Sequence, residues 1–384
     1  MIRAISVIGT GLIGTSIALA ACRRGVTVFL SDRDPVAART AAALGAGRAR
    51  APAVPVDLAV LAVPPSQVGP VLAEQQRRGL AHCYTDVASV KSGPERAALR
   101  LAPDPSCYIG GHPLAGRERS GPLAARAALF EGRPWVLTPS PLTSDTALRR
   151  ARELVALCGA VPVVTQSASH DEAVALTSHV PHLVASLMAA RLSGGPEGVA
   201  RFAGQGLRDV TRIAGGDSGL WGDILQSNAT AVAGVVRELH EDLSRLVAAL
   251  DALARPDGRE RAHGMRAMVD LLDRGIAGLT EIRGRGPGVP EHGAHIRVTL
   301  ADRPGELPRL LAAVADLGVD AADAIVEECG PAGREGLAVR FAVAPRAAGR
   351  TVARLAAEGW DAGWANGAYV DQYEEGPALP TVRT

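Results

Sequence analysis

No C-x-x-C pair occurs in the chain, and its five cysteines (Cys22, Cys83, Cys107, Cys158, Cys329) are scattered and odd in number. That spacing excludes a disulfide framework and a cysteine-built structural zinc site, and makes a reducing cytoplasm the expected compartment. Net charge is also missing. Forty-one basic against 40 acidic side chains leave +1, so no chain-wide field exists to hold nucleic acid or an anionic membrane, and any anion site must be local. Aromatic residues make up only 3%, a bias that carries no functional signal. What the chain has is apolar residue, 47% of 384 positions, enough for two or three domains with separate cores.

From Ala4 to Cys22 charge is absent altogether, and Leu19-Ala20-Ala21-Cys22 reads like a lipoprotein cleavage box. Three features oppose a signal peptide: Gly9, Gly11 and Gly14 interrupt the apolar run, one basic residue precedes it, and the following segment completes a different pattern. As a membrane span the stretch is at the lower length limit and broken by glycines, and no other span is expected.

The different pattern is strand, turn, helix, stop. Ala4–Ile8 is a short apolar run, Gly9-Thr10-Gly11-Leu12-Ile13-Gly14 follows, and an apolar segment runs to Arg23-Arg24-Gly25. In such a G-x-G-x-x-G loop Gly9 permits the tight turn, Gly11 lets the backbone approach a pyrophosphate, and Gly14 lets helix and strand pack closely; the helix N-terminus, at Leu12 and Ile13, adds N–H donors and a positive dipole end. Val26–Leu30 is a second β-type run with Asp32 at its end, where an acid accepts hydrogen bonds from the adenosine ribose. Its charge repels a 2′-phosphate, so NAD is expected over NADP; Arg33 beside it weakens that preference. The bland alternatives for Asp32 are a solvated turn residue or a cap for the helix starting near Pro35.

The alternation continues with a helix over Pro35–Leu44, a buried strand over Leu58–Val63, a helix over Ser66–Arg78, and apolar runs at Cys83–Val87 and Cys107–Gly110. This implies an α/β fold with a parallel, doubly wound sheet of Rossmann type, in which Val63 and Pro64 form a cofactor-facing loop. Trp135–Thr138 and Val161–Thr165 add strands at one edge, closing a domain over residues 1–165.

Three segments are dense in chemistry-bearing residues. Asp86-Val87-Ala88-Ser89-Val90-Lys91 leaves a strand at the carboxyl edge of the sheet and sites Ser89 and Lys91 near ligand. Gly110-Gly111-His112-Pro113-Leu114-Ala115-Gly116-Arg117-Glu118-Arg119-Ser120-Gly121 holds His112 in irregular backbone after another strand. His170-Asp171-Glu172 opens a helical segment whose His179 and His182, three apart, share a face with Pro181 bending the axis between them. A metal is not expected there, because no third or fourth ligand accompanies the pair. Further on, Asp209 and Arg212 lie at helical spacing, which an exposed ion pair also explains.

The D-V-x-S-V-K stretch from Asp86, the G-x-H-P-x-A-G-x-E-x-S-G stretch from Gly110, S-H-x-P-H from Ser178 and R-D-x-T-R-I-A from Arg208 occur in this order. Together they resemble the prephenate and arogenate dehydrogenase family of tyrosine biosynthesis. Leu114 stands where many members have methionine, and Val180 where leucine is frequent. The resemblance implies NAD-dependent oxidation of the prephenate ring hydroxyl with loss of CO2, giving 4-hydroxyphenylpyruvate. It implies His112 as the base and Ser89 as its partner on the hydroxyl. Arg212 would hold a substrate carboxylate with Asp209 orienting it, His182 would meet the pyruvyl side chain, His179 would face the cofactor side, and Glu118 would join the pocket network. Arogenate and the 4-amino-4-deoxy analogue of prephenate are alternative substrates, and a non-catalytic dinucleotide and amino-acid sensor is the alternative from another class.

Residues 166–283 read as helices throughout: Val199–Leu207, Ser218–Val232, Val235–Leu253 and Arg261–Arg283. So much apolar helical face implies burial against a second subunit, with a self-contained helical bundle as the alternative, and the resemblance implies a homodimer. A linker follows at Gly284–Glu291. Residues 294–372 then read strand, helix, strand, strand, helix, strand, with Asp302-Arg303-Pro304-Gly305-Glu306-Leu307 as the first turn. This βαββαβ, α+β order resembles an ACT domain, implying tyrosine as an effector, with Asp320 where asparagine is common. A structural or dimerising appendage is the plainer reading.

Overall fold

A computed structural model describes residues 1–115, 121–196, 198–284, 294–301, 303–319, 324–329, 336–343 and 345–365. The chain forms two compact units, Met1–Ala248 and Ala249–Thr384.

The first unit is built on seven strands, β1 (Ala4–Ile8), β2 (Thr27–Ser31), β3 (Val56–Leu61), β4 (Ala81–Asp86), β5 (Tyr108–Pro113), β6 (Pro134–Thr138) and β7 (Val161–Val164), in the order β2-β1-β3-β4-β5-β6-β7. The first five are mutually parallel. Helices α1 (Leu12–Arg23), α2 (Pro35–Ala43), α3 (Pro65–Arg77), α4 (Ser92–Leu101) and α5 (Asp145–Leu157) alternate with them. Both faces are covered. Leu58 and Val60 of β3 join Ile5, Val7 and Ile17 in one core, while Ala59 and Leu61 join Val68, Leu72 and Tyr84 in the other. A strand buried on both sides must be apolar at every position, which is why these strands read as continuous apolar runs.

The sheet is not wholly parallel, as its alternation implies. β6 runs antiparallel to β5, and β7 follows β6 in the parallel sense. Only a loop and a short 3-10 turn at Pro122–Ala124 are described between β5 and β6, and a chain without a crossover helix returns antiparallel. α5 supplies the crossover between β6 and β7.

Helix α6 (Ser167–Val174), a π-helical turn (Ala175–His179) and α7 (Val180–Ser193) form one continuous rod. By length and apolarity Ser167–Ser193 would suffice for a membrane span, although no span beyond the N-terminal stretch is expected from the sequence. Its buried residues are polar as well as apolar: His170, Asp171, His179 and His182 all face inward. The expected helix over Val199–Leu207 is instead a 3-10 turn (Val199–Phe202) and α8 (Gln205–Thr211), separated by Gly204. The expected helix across Ser218–Val232 is broken at Asn228 into α9 (Ser218–Ser227) and α10 (Ala229–Ala254). α9 packs on α3, where Asp223 accepts a hydrogen bond from Ser66 N at 3.1 Å.

The second unit holds α11 (Gly258–Gly284) and a four-stranded antiparallel sheet in the order β11-β8-β10-β9. Its strands are β8 (Ala294–Thr299), β9 (Ile325–Cys329), β10 (Gly336–Val343) and β11 (Asp361–Trp364), with α12 (Glu306–Asp316) and α13 (Pro345–Ala357) between them. Ile296, Val298, Leu310, Phe341 and Leu355 form its core. The βαββαβ order read from the sequence is therefore present. Asp302 and Asp320 lie outside the described residues.

Candidate active site

The carboxyl ends of β1 to β5 lie along one edge, and each carries a residue expected at the site: the glycine loop after β1, Asp32 after β2, Val63 and Pro64 after β3, Ser89 after β4, and His112 near the end of β5. A crevice at the strand-order reversal, here between β1 and β3, is where doubly wound sheets hold dinucleotides.

The glycine loop has the stereochemistry that a pyrophosphate cradle needs. Gly9 has φ +98°, and a Cβ there would stand 2.0 Å from the Ala62 carbonyl oxygen. A Cβ on Gly14 would stand 1.9 Å from the Gly9 oxygen, so loop and helix touch backbone to backbone. Around Gly11 the position of a Cβ is open, with nothing within 4 Å. Leu12 and Ile13, partly exposed, form the first turn of α1 behind it. Asp32 does not cap α2; Asp34 does, accepting from Val36 N at 2.8 Å. Asp32 instead locks the loop. Its Oδ2 accepts from Thr10 N at 2.6 Å and Thr10 Oγ1 at 2.9 Å, and its Oδ1 from Asp34 N at 2.9 Å. It also lines a cavity of about 800 Å³ with Ile8, Pro35, Arg39 and Arg50. These residues fit a dinucleotide whose adenosine half lies over Asp32.

His112 is in regular strand, paired with Val136 of β6, not in irregular backbone. The glycines before it serve close approach: a Cβ on Gly110 would lie 2.4 Å from Thr138 Oγ1, and one on Gly111 2.7 Å from the Asp86 carbonyl oxygen. Lys91, expected near ligand, is instead fully enclosed. Its ammonium pairs with Asp86 and donates to the Gly111 carbonyl at 2.6 Å. Asp86 further accepts from Tyr108 Oη at 2.7 Å and Ala88 N at 2.7 Å, so the buried charge pair ties β4, β5 and α4 together directly beneath His112. Ser89 stays partly exposed at the rim.

His112 reaches across to the helical rod. Its Nδ1 lies 2.8 Å from His170 Nε2, and His170 Nδ1 lies 2.8 Å from Asp171 Oδ1. The two rings meet edge to face, 5.1 Å apart and 77° between planes. Burial, with His170, Lys91 and His179 nearby, pushes the His112 pKa well below its ordinary value. A neutral imidazole results, able to accept a proton.

His179 and His182 share a face, as expected. The irregularity lies one turn earlier than Pro181, in the π turn, because proline denies α7 an N–H and its ring excludes the ordinary carbonyl alignment of the preceding turn. Asn228 Nδ2 donates to the Asp171 carbonyl at 2.8 Å and to His179 Nδ1 at 3.2 Å. Burial lowers the His179 pKa to about 4, so the ring is neutral and carries its proton on Nε2. That Nε2–H is buried and has no protein partner among the described residues, a donor aimed at something that is not protein. His182 stacks on Trp221 and bonds the Ile213 backbone, while burial lowers its pKa. Trp221 also meets His179 edge-on.

The remaining expected residues are less tightly drawn in. Asp209 is exposed on α8 and accepts from Gln205 at 2.8 Å. Arg212 is exposed on the 3-10 turn Arg212–Gly215, which packs on α7 and adjoins the Ile213 contact of His182. Glu118 lies outside the described residues. His170, Asp171, Trp221 and Asn228 were not singled out as site residues. The adjacent His170-Asp171 pair was the one available signal, and its partner His112 is 58 positions away.

An acceptor imidazole at the same sheet edge as a G-x-G-x-x-G loop, facing a helical wall of histidines, suits dinucleotide chemistry, and comparison with known proteins gives the chain a family. Residues 17–164 match the prephenate dehydrogenase nucleotide-binding domain and residues 166–264 the prephenate dehydrogenase dimerization domain. The chain is 45% identical over 327 residues to the probable prephenate dehydrogenase NovF of Streptomyces niveus, covering 83% of this chain and 88% of that one. It is 32% identical over 268 residues to the cyclohexadienyl dehydrogenase of Zymomonas mobilis, covering 66% and 89%. In fold it is similar to the prephenate dehydrogenase of A. aeolicus, solved with hydroxyphenyl propionate and NAD+, at TM-score 0.64 and 24% identity over 73% of this chain and 99% of that one. On the strength of both domain matches and of the 45% identity, the chain belongs to the prephenate dehydrogenase family.

Proposed function

We propose that this chain is an NAD-dependent prephenate dehydrogenase, catalysing oxidative decarboxylation of prephenate to 4-hydroxyphenylpyruvate. The observation that carries this reading is His112, neutral and held at Nδ1 by His170, at the same sheet edge as the glycine loop. Bound NAD supplies the hydride acceptor. His112 accepts the ring hydroxyl proton, and Ser89 fixes the direction of that hydroxyl. His179 offers its buried Nε2–H on the cofactor side, and His182, braced by Trp221, meets the pyruvyl side chain. Gly9, Gly11, Leu12, Ile13 and Gly14 would hold the pyrophosphate and Asp32 the ribose, with Val63 and Pro64 forming a cofactor-facing loop.

Prephenate is a dianion. Its side-chain carboxylate needs a cation, but gripping the ring carboxylate too firmly opposes its departure as neutral CO2. One arginine, Arg212, oriented by Asp209, meets both demands, with Glu118 completing the pocket. The three functional segments are residues 1–165 for the dinucleotide, 166–283 for substrate and dimerisation, and 294–372 as an ACT-like module that binds tyrosine as a feedback effector. Exposed apolar residues on α7 (Leu187, Met188), α10 (Leu243, Val247) and α11 (Leu272, Ile276) support a homodimer. The enzyme works in the cytoplasm.

Incubating the protein with NAD and prephenate, arogenate or the 4-amino-4-deoxy analogue, and following NADH absorbance in the near ultraviolet, tests the reading. Fastest turnover with prephenate is expected. Faster turnover of either other compound reassigns the substrate, and no turnover with any of the three favours a non-catalytic sensor.

A further inference from the structure

A neutral histidine whose basicity burial has weakened is a poor place to leave a proton, yet His112 does not end the chain of contacts. Asp171 Oδ1 accepts from Lys91 N at 2.7 Å and from His170 Nδ1 at 2.8 Å, and its Oδ2 accepts from Ser92 N at 2.8 Å. These donors include the N-terminus of α4. Burial alone raises the Asp171 pKa, but the hydrogen bonds from His170, Ser92 and Lys91 prevail and hold it below the ordinary value. An ionised carboxylate only accepts. The proton of a neutral His170 therefore sits on Nδ1 and leaves Nε2 bare. His112 must then donate from Nδ1 to that bare nitrogen, and its own Nε2 is left with a free lone pair. The polarity of the whole row is set by the carboxylate at its far end.

We propose that His170 and Asp171 are positioning residues that make His112 a reversible proton store: as the substrate hydroxyl proton reaches His112 Nε2, the His112 Nδ1 proton passes to His170 Nε2, opposite the Asp171 carboxylate. This rests on the reading of the site as a prephenate dehydrogenase. A positive charge left on His112 would face Lys91, His179 and His170; the same charge one ring further on meets a full negative charge.

The balance of the reaction asks for a store and not an exit. Oxidation breaks the carbinol C–H bond, the hydride going to the nicotinamide, and the hydroxyl O–H bond, the proton going to His112. Loss of CO2 then breaks the ring C–C bond, and its electron pair aromatises the ring and arrives on the same oxygen as phenolate. The phenolate takes the proton back as both transfers reverse. Prephenate and NAD+ thus become 4-hydroxyphenylpyruvate, CO2 and NADH with no proton left over. His170 and Asp171 are 3% and 4% exposed, which suits groups that return a proton and do not deliver it to water. Among the described residues, the other charged or titratable groups facing the row are Lys91 with Asp86, His179 on the π turn, and Glu95 of α4, bonded to Ser167 one turn before His170.

Two measurements decide the matter. Nitrogen-15 NMR of the histidines in the full chain without ligand, near pH 8, is expected to show His112 and His170 both protonated on Nδ1; a His112 ring protonated on Nε2 overturns the proposal whatever the activity. In kinetics, His170→Gln is expected to lower kcat on the order of 10²-fold with KM within about threefold, and to move the acid limb of kcat to lower pH, since His112 alone then takes the proton. Asp171→Asn is expected to move the limb the same way. A His170→Gln enzyme whose acid limb stays in place, with only KM or thermal midpoint altered, shows a structural role and overturns the store. A wild-type protein inactive on all three substrates overturns the assigned reaction, which the NMR result does not depend on.

Discussion

His182 lies flat against Trp221, with ring centroids 3.6 Å apart and planes 9° from parallel. The indole is itself confined, because a Cβ on Gly216 would come within 2.4 Å of its Nε1. An aromatic pair of this kind contributes about 1 kcal/mol beyond simple burial. Trp221→Leu is therefore expected to loosen His182 and raise the KM for prephenate roughly tenfold, about 1.4 kcal/mol, with a smaller change in kcat. Steady-state kinetics with an unchanged KM would remove Trp221 from the substrate pocket.

Arg212 and His112 are expected to fail differently. Arg212→Ala removes a charge-assisted contact to a substrate carboxylate and should raise KM by a factor of about thirty, near 2 kcal/mol, with kcat less affected. His112→Asn removes the proton acceptor and should lower kcat by about 10²- to 10⁴-fold. The reverse pattern would exchange or cancel the two roles.

The Lys91–Asp86 pair is enclosed beneath the site with both side chains at 0% exposure. Lys91→Met leaves the Asp86 charge with its Tyr108 and Ala88 donors but no cation, and is expected to cost about 3–5 kcal/mol. Urea unfolding measures this directly. A loss under about 1 kcal/mol would mean that the pair is not charged in the folded state.

On the proposed reading Asp32 repels a 2′-phosphate, while Arg39 and Arg50 line the same cavity. Asp32→Ala is expected to lower the ratio of kcat/KM with NAD to that with NADP by at least about tenfold. It also releases the Thr10 turn, so KM for NAD should rise. A ratio that does not move would separate Asp32 from cofactor choice and leave it as a brace for the loop.

Stability should fall toward acid. Burial lowers the His179 pKa from 6.5 to about 4, so between those values the unfolded chain binds a proton that the folded one refuses. The contribution is complete above pH 6.5 and declines by on the order of 3 kcal/mol as pH drops to about 4. Asp171, held below its ordinary value, adds a loss in the same direction as pH falls further. Urea midpoints across this range, for the wild type and for His179→Gln, should converge at low pH. Parallel curves would show that His179 does not titrate as its burial implies.

Much of the fold was legible because its signals are local. A glycine with φ +98°, a strand that must be apolar on both faces, and an acid closing the second strand leave their marks within a few neighbouring residues. The direction of β6 was not legible, since nothing in Trp135–Thr138 records whether a crossover helix precedes it. The break at Asn228 was invisible for the same reason: its amide is needed by Asp171 and His179, which are 57 and 49 positions away.

At the site, residue identity and roles divide similarly. The glycine loop, the acid at Asp32, the candidate base His112 and the histidine pair on one helix face are each announced by a short motif with its own stereochemistry, and so are readable without a fold. Packing is what encloses Lys91 away from ligand, sets Trp221 against His182, and stands His170 and Asp171 behind His112. Those are contacts between elements far apart in the chain. Hydrogen-bond polarity and burial exist only once packing has brought the groups together and removed the water between them.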